Sequence, residues 1–142
     1  MDSARIPQTV LEIMSGLMDA GFESYLVGGC VRDMVLDRIP KDWDIATNAT
    51  PSEIQKIFPE SVYENDFGTV GVKTGDDVFP IVEVTTYRAE GRYTDKRHPD
   101  DVRFAKTIEE DLSRRDFTVN AIAMAFEVRR SASDAGANFE LR

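Results

Sequence analysis

Val10, Ile13, Met14, Leu17 and Met18 recur at helical spacing, whereas from Ser61 to Thr86 apolar residues alternate with polar ones. Both periods occur in one chain, in an order that is not a strict strand–helix repeat. Each helix must bury a stripe and each strand a face, so the expected class is α+β, a small mixed β-sheet backed by helices. The first helix is expected over Pro7 to Gly21, with Gly21 as its stop. Ser24 to Val27 reads as a short strand ending in Gly28-Gly29, followed by a helix from Cys30 to Leu36. Trp43 to Thr47 is a further strand. Thr50, Pro51 and Glu53 announce a third helix as N-cap, first helical residue and capping-box partner. Ile54, Ile57 and Phe58 form its buried stripe.

Val70 and Val72 alternate with Thr69, Gly71 and Lys73, and Gly75-Asp76-Asp77 supplies turn chemistry before a strand from Pro80 to Thr86. In that strand Val82 and Val84 share one face, Glu83 and Thr85 the other. The polar stretch from Ala89 to Asp101 predicts a mobile loop. Val102 to Ala105 is one more strand, and Thr107 to Arg114 and Thr118 to Phe126 are read as two further helices.

The 142 residues are 42% apolar and 30% charged, enough for one domain with a core of its own. Cys30 is the single cysteine, so no intrachain disulfide can form. No apolar run is long enough to span a bilayer, and the N-terminus lacks the layout of a secretory signal, so the expected location is cytoplasmic with no membrane partner. The net charge is −9. That excludes a binder that grips nucleic acid through a general basic surface, because neutralised phosphates drive such affinity. A polynucleotide would have to be held by a local cluster, by bound metal or by another protein.

Three constellations carry chemistry. Asp42 and Asp44, two apart on a strand, point to the same side. Two anions so close repel unless a cation lies between them, and hard oxygen donors favour Mg2+ over zinc; the plainer reading is a solvated acidic turn. Glu83 becomes a third carboxylate at the same metal if its strand lies beside Trp43–Thr47, and is otherwise an exposed strand residue. Second, Gly28-Gly29 between strand and helix lets backbone N–H groups approach an anion, with Arg32 one helical turn further on, although a tight turn alone also explains paired glycines. Third, Arg114-Arg115-Asp116 at a helix junction can reach a triphosphate or a base, or form a surface salt bridge.

Leu26-Val-Gly-Gly-Cys-Val-Arg-Asp33 followed by Lys41-Asp-Trp-Asp-Ile-Ala-Thr47 resembles the signature of class II CCA-adding enzymes (tRNA nucleotidyltransferases) and bacterial poly(A) polymerases. Val82-Glu-Val-Thr-Thr-Tyr-Arg88 and Arg114-Arg-Asp-Phe-Thr-Val-Asn-Ala121 resemble the next two motifs of that family, in the same order, so the likeness covers about residues 22 to 126. It implies a nucleotidyltransferase fold of the DNA polymerase beta-like type. It also implies template-independent transfer of CMP or AMP from CTP or ATP to the 3′ end of a tRNA or other RNA, with release of pyrophosphate. Asp42 and Asp44 would ligate Mg2+, with Glu83 as third catalytic carboxylate. Gly28, Gly29, Arg32 and Arg115 would bind the nucleotide. Residues 1–126 would form the catalytic head and 127–142 a divergent C-terminal tail. The family continues into a neck, whose Glu-Asp-x-x-Arg motif reads the base, and into body and tail domains; none of these is expected within the 142 residues, so a neck or body partner chain is expected to complete the site. The alternatives are a nucleotide-binding or assembly module without turnover, a poly(A)-type polymerase, or a toxin-like transferase that modifies tRNA.

The remaining reactive residues have bland readings. His98 has no second histidine or cysteine to complete a zinc site, Cys30 is a small packing residue, and Lys96-Arg97 belongs to a solvated loop.

Overall fold

The computed structural model describes residues 5–64, 68–89, 103–115, 122–129 and 138–141. The chain opens with helix α1 (Gln8–Asp19), which buries Val10, Leu11, Ile13, Met14 and Leu17, and Gly21 follows it at φ 91°. Strand β1 (Tyr25–Val27) leads through Gly28 into α2 (Gly29–Val35). Strand β2 (Asp44–Thr47) precedes α3 (Pro51–Ile57). The expected capping box is present, the Thr50 side chain accepting from the Glu53 N–H and the Glu53 carboxylate from the Thr50 N–H. Three strands follow, β3 (Ser61–Tyr63), β4 (Thr69–Lys73) and β5 (Ile81–Thr86). Then come the short β6 (Arg88–Ala89) and β7 (Arg103–Phe104), α4 (Ile108–Ser113), β8 (Ala123–Met124), β9 (Phe126–Arg129) and β10 (Asn138–Leu141).

Six strands make one mixed sheet in the order β3-β4-β5-β2-β1-β8. β2 and β5 pair in parallel and the other neighbours are antiparallel. This is the mixed sheet backed by helices that the patterning predicts. One face carries Leu26, Ile45, Val70, Val72, Val82, Val84 and Met124 into the main core, where α1, α2 and α3 cover them. The alternating residues point the other way. There Val27, Ala46 and Tyr87 meet Ala105 and Ile108 in a second, smaller cluster roofed by α4. Asp44 and Glu83 belong to this second face, because each is out of phase with the buried Ile45 and with Val82 and Val84.

Two expectations need correction or limits. The described part of the helix expected over Thr118 to Phe126 is extended instead. β8 pairs with β1, Leu26 opposite Met124 and Val27 opposite Ala123, and the Gly28 N–H donates to the Ile122 carbonyl at 3.2 Å. Alanine and methionine favour helix locally, but the open edge of β1 offers a ladder and two buried faces, and tertiary pairing overrides the weak preference. The loop expected over Ala89 to Asp101, with Lys96, Arg97 and His98, lies outside the described residues beyond Ala89, as do residues 118–121. Within the stretch read as a divergent tail, β9 pairs with β10, Phe126 opposite Leu141 through Arg129 opposite Asn138. Among the described residues no helix is long and apolar enough to cross a membrane.

Candidate active site

The register of three strands sets up the acidic part of the site. Asp44 on β2 lies opposite Glu83 on β5, and Glu83 lies opposite Gly71 on β4. A row of side chains at one level of the sheet therefore reads Asp44, Glu83, and then a gap where Gly71 has none. Glu64, just past β3, fills that gap. Its N–H donates to the Thr69 carbonyl at 3.0 Å, which holds it at the mouth of the β3–β4 turn. A Cβ built on Gly71 would stand 3.0 Å from the Glu64 Cδ and 3.1 Å from the Ile81 Cγ2, so any side chain there would collide with the carboxylate. Glu64 was not singled out from the sequence. The available signal was Gly71, a glycine inside an otherwise β-branched strand, where another group often approaches closely.

The three carboxyl groups hold one another. Burial pushes Asp44 above the ordinary carboxylate range, and the charges of Asp42 and Glu64 add to this, while a hydrogen bond with Glu83 and the positive charge of Arg115 oppose it. Glu83 is raised by burial and then by the charge of Asp44. Glu64 is raised by burial and then by its hydrogen bond with Glu83. Neighbouring acids in this arrangement retain protons because all cannot ionise side by side. Among the described residues no three acidic, histidine or cysteine side chains already surround one point at ligand distance; they are paired to each other instead. The donor set, all hard carboxylate oxygens, fits a divalent cation that replaces those shared protons.

Two cavities of about 430 Å³ each meet at these acids. Lys41, Asp42 and Asp44 line both. The first continues to Glu64, Glu83 and the apolar wall of Val78, Phe79 and Ile81. The second continues to Gly29, Arg32, Asp33 and Arg38. Asp42 precedes β2 and is exposed, while Asp44 begins the strand and is half-buried. The expectation that Glu83 lies on a strand beside the Asp-Trp-Asp segment is met by the parallel β2–β5 pairing.

The glycine turn sits against the acids because β1, which feeds it, is the neighbour of β2. Gly28 adopts φ 74°, ψ −139°, a conformation that residues with a Cβ avoid. A Cβ there would meet only the Arg115 Nη1, at 3.8 Å, so the requirement for glycine comes from the backbone and not from crowding. Gly28→Ala is accordingly expected to cost about 1–3 kcal/mol of stability. Thermal unfolding measures this, and an unchanged midpoint would show that the turn relaxes freely. At Gly29 a Cβ would lie 3.3 Å from the Arg32 Nη2, so the guanidinium rests close over the turn. Arg32 also donates from Nε and Nη2 to the Asp33 Oδ1, both at 3.2 Å.

Arg114 and Arg115 are not a surface pair. Both bond to Asp111 on α4, whose side chain is 1% exposed. Arg115 leans toward Gly28 but lines neither cavity. Cys30 is a packing residue, as expected: it is buried, its Sγ donates to the Val27 carbonyl at 3.3 Å, and burial pushes the thiol up to about 11.

Residues 24–135 match the family model described as the poly A polymerase head domain, a stretch that includes every site residue named above. The chain belongs to that family. It is 50% identical over 113 residues to the CCA-adding enzyme of Oceanobacillus iheyensis, a match that takes in 79% of this chain and 28% of the relative. Among solved structures, the Bacillus stearothermophilus CCA-adding enzyme in complex with CTP superposes with a TM-score of 0.71 at 39% identity, over 87% of this chain and 28% of that one. A tRNA nucleotidyltransferase complexed with a primer tRNA and an incoming ATP analog gives 0.59 at 28% identity, over 80% of this chain and 30% of that one. The head-domain chain thus spans a little over a quarter of the length of these relatives.

Proposed function

We propose that this chain is the catalytic head of a template-independent nucleotidyltransferase that moves CMP or AMP from CTP or ATP to the 3′ end of a tRNA. The observation that carries the reading is the pair of cavities sharing Asp42 and Asp44, one with a glycine turn and Arg32, the other with Glu83 and Glu64. Membership in the head-domain family, and likeness to a CCA-adding enzyme in complex with CTP and to a tRNA nucleotidyltransferase complexed with a primer tRNA and an incoming ATP analog, support it.

In this reading the backbone of Gly29, in a turn shaped by Gly28, binds the triphosphate together with Arg32 and Arg115 and offsets its charge. Asp42, Asp44 and Glu83 face the α-phosphate from the other side and would hold Mg2+. When bound, the ion supplies charge neutralisation at the triphosphate and a lowered barrier to ionising the acceptor hydroxyl. The hydroxyl oxygen forms a bond to the α-phosphorus, the α–β phosphoanhydride bond breaks, and pyrophosphate leaves. The proton that the hydroxyl loses passes to solvent. Glu64 holds Glu83 beside Asp44. The head is proposed as residues 1–126, with the remainder as its C-terminal extension, and neck and body elements of the kind found in the longer relatives as partners for RNA.

The test is transfer from labelled CTP and ATP, with Mg2+, to a tRNA ending before its CCA. Incorporation supports the reading, and the label that appears sets the nucleotide preference. Folded protein that binds neither CTP nor ATP in the presence of Mg2+ overturns it. Binding without incorporation, even with a neck-and-body fragment of a relative added, favours instead a nucleotide-binding module without turnover.

A further inference from the structure

Asp111 is the most fully buried acidic side chain among the described residues, and it is no part of the carboxylate row. A buried carboxylate is tolerated only where donors surround it. Here Oδ1 accepts from the Arg88 backbone N–H at 2.9 Å and from Arg114 Nε at 3.3 Å, and Oδ2 accepts from Arg115 Nη2 at 3.1 Å. Arg88 opens β6, separated by Tyr87 alone from the end of β5, the strand that carries Glu83. One side chain therefore joins α4, the end of the Glu83 strand and the arginine that faces the glycine turn.

The geometry of the guanidinium gives this consequence. The group is planar, with its donors in a fixed fork, so pinning one end orients the other. With Nη2 held by Asp111, Nη1 is left 3.8 Å from the position a Cβ would take on Gly28. The Nε of Arg115 is buried and has no hydrogen-bond partner among the described residues, so the Asp111 contact is the one that sets the plane.

We propose that Asp111 is a positioning residue: it aims the Arg115 guanidinium across the Gly28-Gly29 turn, where it grips the β- and γ-phosphates of the incoming nucleoside triphosphate. This rests on the functional reading above, in which that turn is the triphosphate subsite. Asp111 itself touches no substrate. Its removal should weaken a ligand it never contacts, and only through the phosphates that Arg115 reaches.

The experiment compares binding of CTP and CMP, and kcat and KM for transfer, in the wild type, Asp111→Asn, Arg115→Ala and the double variant. Asparagine keeps the size of Asp111 but loses the charge. CTP affinity is expected to fall about tenfold in Asp111→Asn and at least as far in Arg115→Ala, since a charge-assisted hydrogen bond is lost in each. CMP affinity should be unchanged. KM for CTP should rise by a similar factor with kcat altered less, and the double variant should be no worse than Arg115→Ala. A normal CTP affinity in Asp111→Asn, with a loss in Arg115→Ala, would overturn the positioning role and leave the site reading intact. A normal affinity in Arg115→Ala would overturn the positioning role together with Arg115's place at the triphosphate, whereas folded wild type that binds no CTP would overturn the functional reading. If Asp111→Asn does not fold, Arg115→Lys decides: a lysine paired with Asp111 has no second arm, so wild-type CTP binding in that variant rejects the oriented fork.

Discussion

Asp44→Ala is expected to abolish nucleotide transfer, lowering kcat/KM by at least about a thousandfold, which corresponds to roughly 4 kcal/mol of transition-state stabilisation. Asp44 stands where the acidic row meets both cavities, opposite Glu83 in register. No neighbouring side chain can replace it, because Asp42 precedes the strand and Glu83 already occupies the next position across the sheet. The fold should survive. The backbone of residue 44 keeps its place in the β2 ladder, and the lost carboxyl is one that burial and the charge of Asp42 hold above its ordinary range. A thermal unfolding scan beside the transfer assay separates the two effects. A folded Asp44→Ala protein with activity within a few-fold of the wild type would remove Asp44 from the metal and the chemistry.

The second large effect is a dependence of stability on pH that a divalent ion reverses. Asp44, Glu83 and Glu64 are all raised, each first of all by burial. Between the ordinary carboxylate range and these raised values the folded, metal-free protein binds more protons than the unfolded chain. Stability contributed by these groups is therefore present at low pH and falls as pH rises through that window. The groups facing them act in both directions: Asp42 adds repulsion and Arg115 opposes it. Above the window, the row carries unpaired charge, and saturating Mg2+ should relieve it. At a hundred times its dissociation constant an ion adds about 2.7 kcal/mol, or an increase in the unfolding midpoint of roughly 10 °C. At acid pH, where protons occupy the same oxygens, the increase should nearly vanish. Asp44→Asn should flatten both responses and, without metal, melt no lower than the wild type near neutral pH. Calorimetry across pH with and without Mg2+ measures this. Equal Mg2+ shifts in the wild type and Asp44→Asn would mean that the ion binds elsewhere.

Elements whose cause is local were legible without a structure. The third helix begins at Pro51 because Thr50 and Glu53 satisfy each other's N–H groups within four residues. The alternation of Val82, Glu83, Val84 and Thr85 predicts a strand with one acidic face, and that is β5. The Asp42–Asp44 pair and the Gly28-Gly29 turn stand out for the same reason: each is a short-range pattern, two carboxylates close enough to repel and a backbone bend open to glycine. The helix expected over Thr118 to Phe126 shows the limit. Its local preference was sound, but the β1 edge lies nearly a hundred residues earlier in the chain, and no window of sequence contains both.

What the sequence by itself determined is the chemistry on offer: two spaced carboxylates, a third on an alternating strand, paired glycines before a helix, and a pair of arginines. Period and side-chain type are properties of neighbouring residues, so they can be read along the chain. Which of these groups meet was decided by the tertiary structure. The parallel pairing of β2 with β5 puts Asp44 level with Glu83, the missing side chain of Gly71 admits Glu64 beside them, and Asp111 on α4 holds the arginine that reaches Gly28. Each of these depends on the register of strands far apart in sequence. A shift of one residue would turn the acids to the opposite face, and only burial of the whole sheet specifies that register.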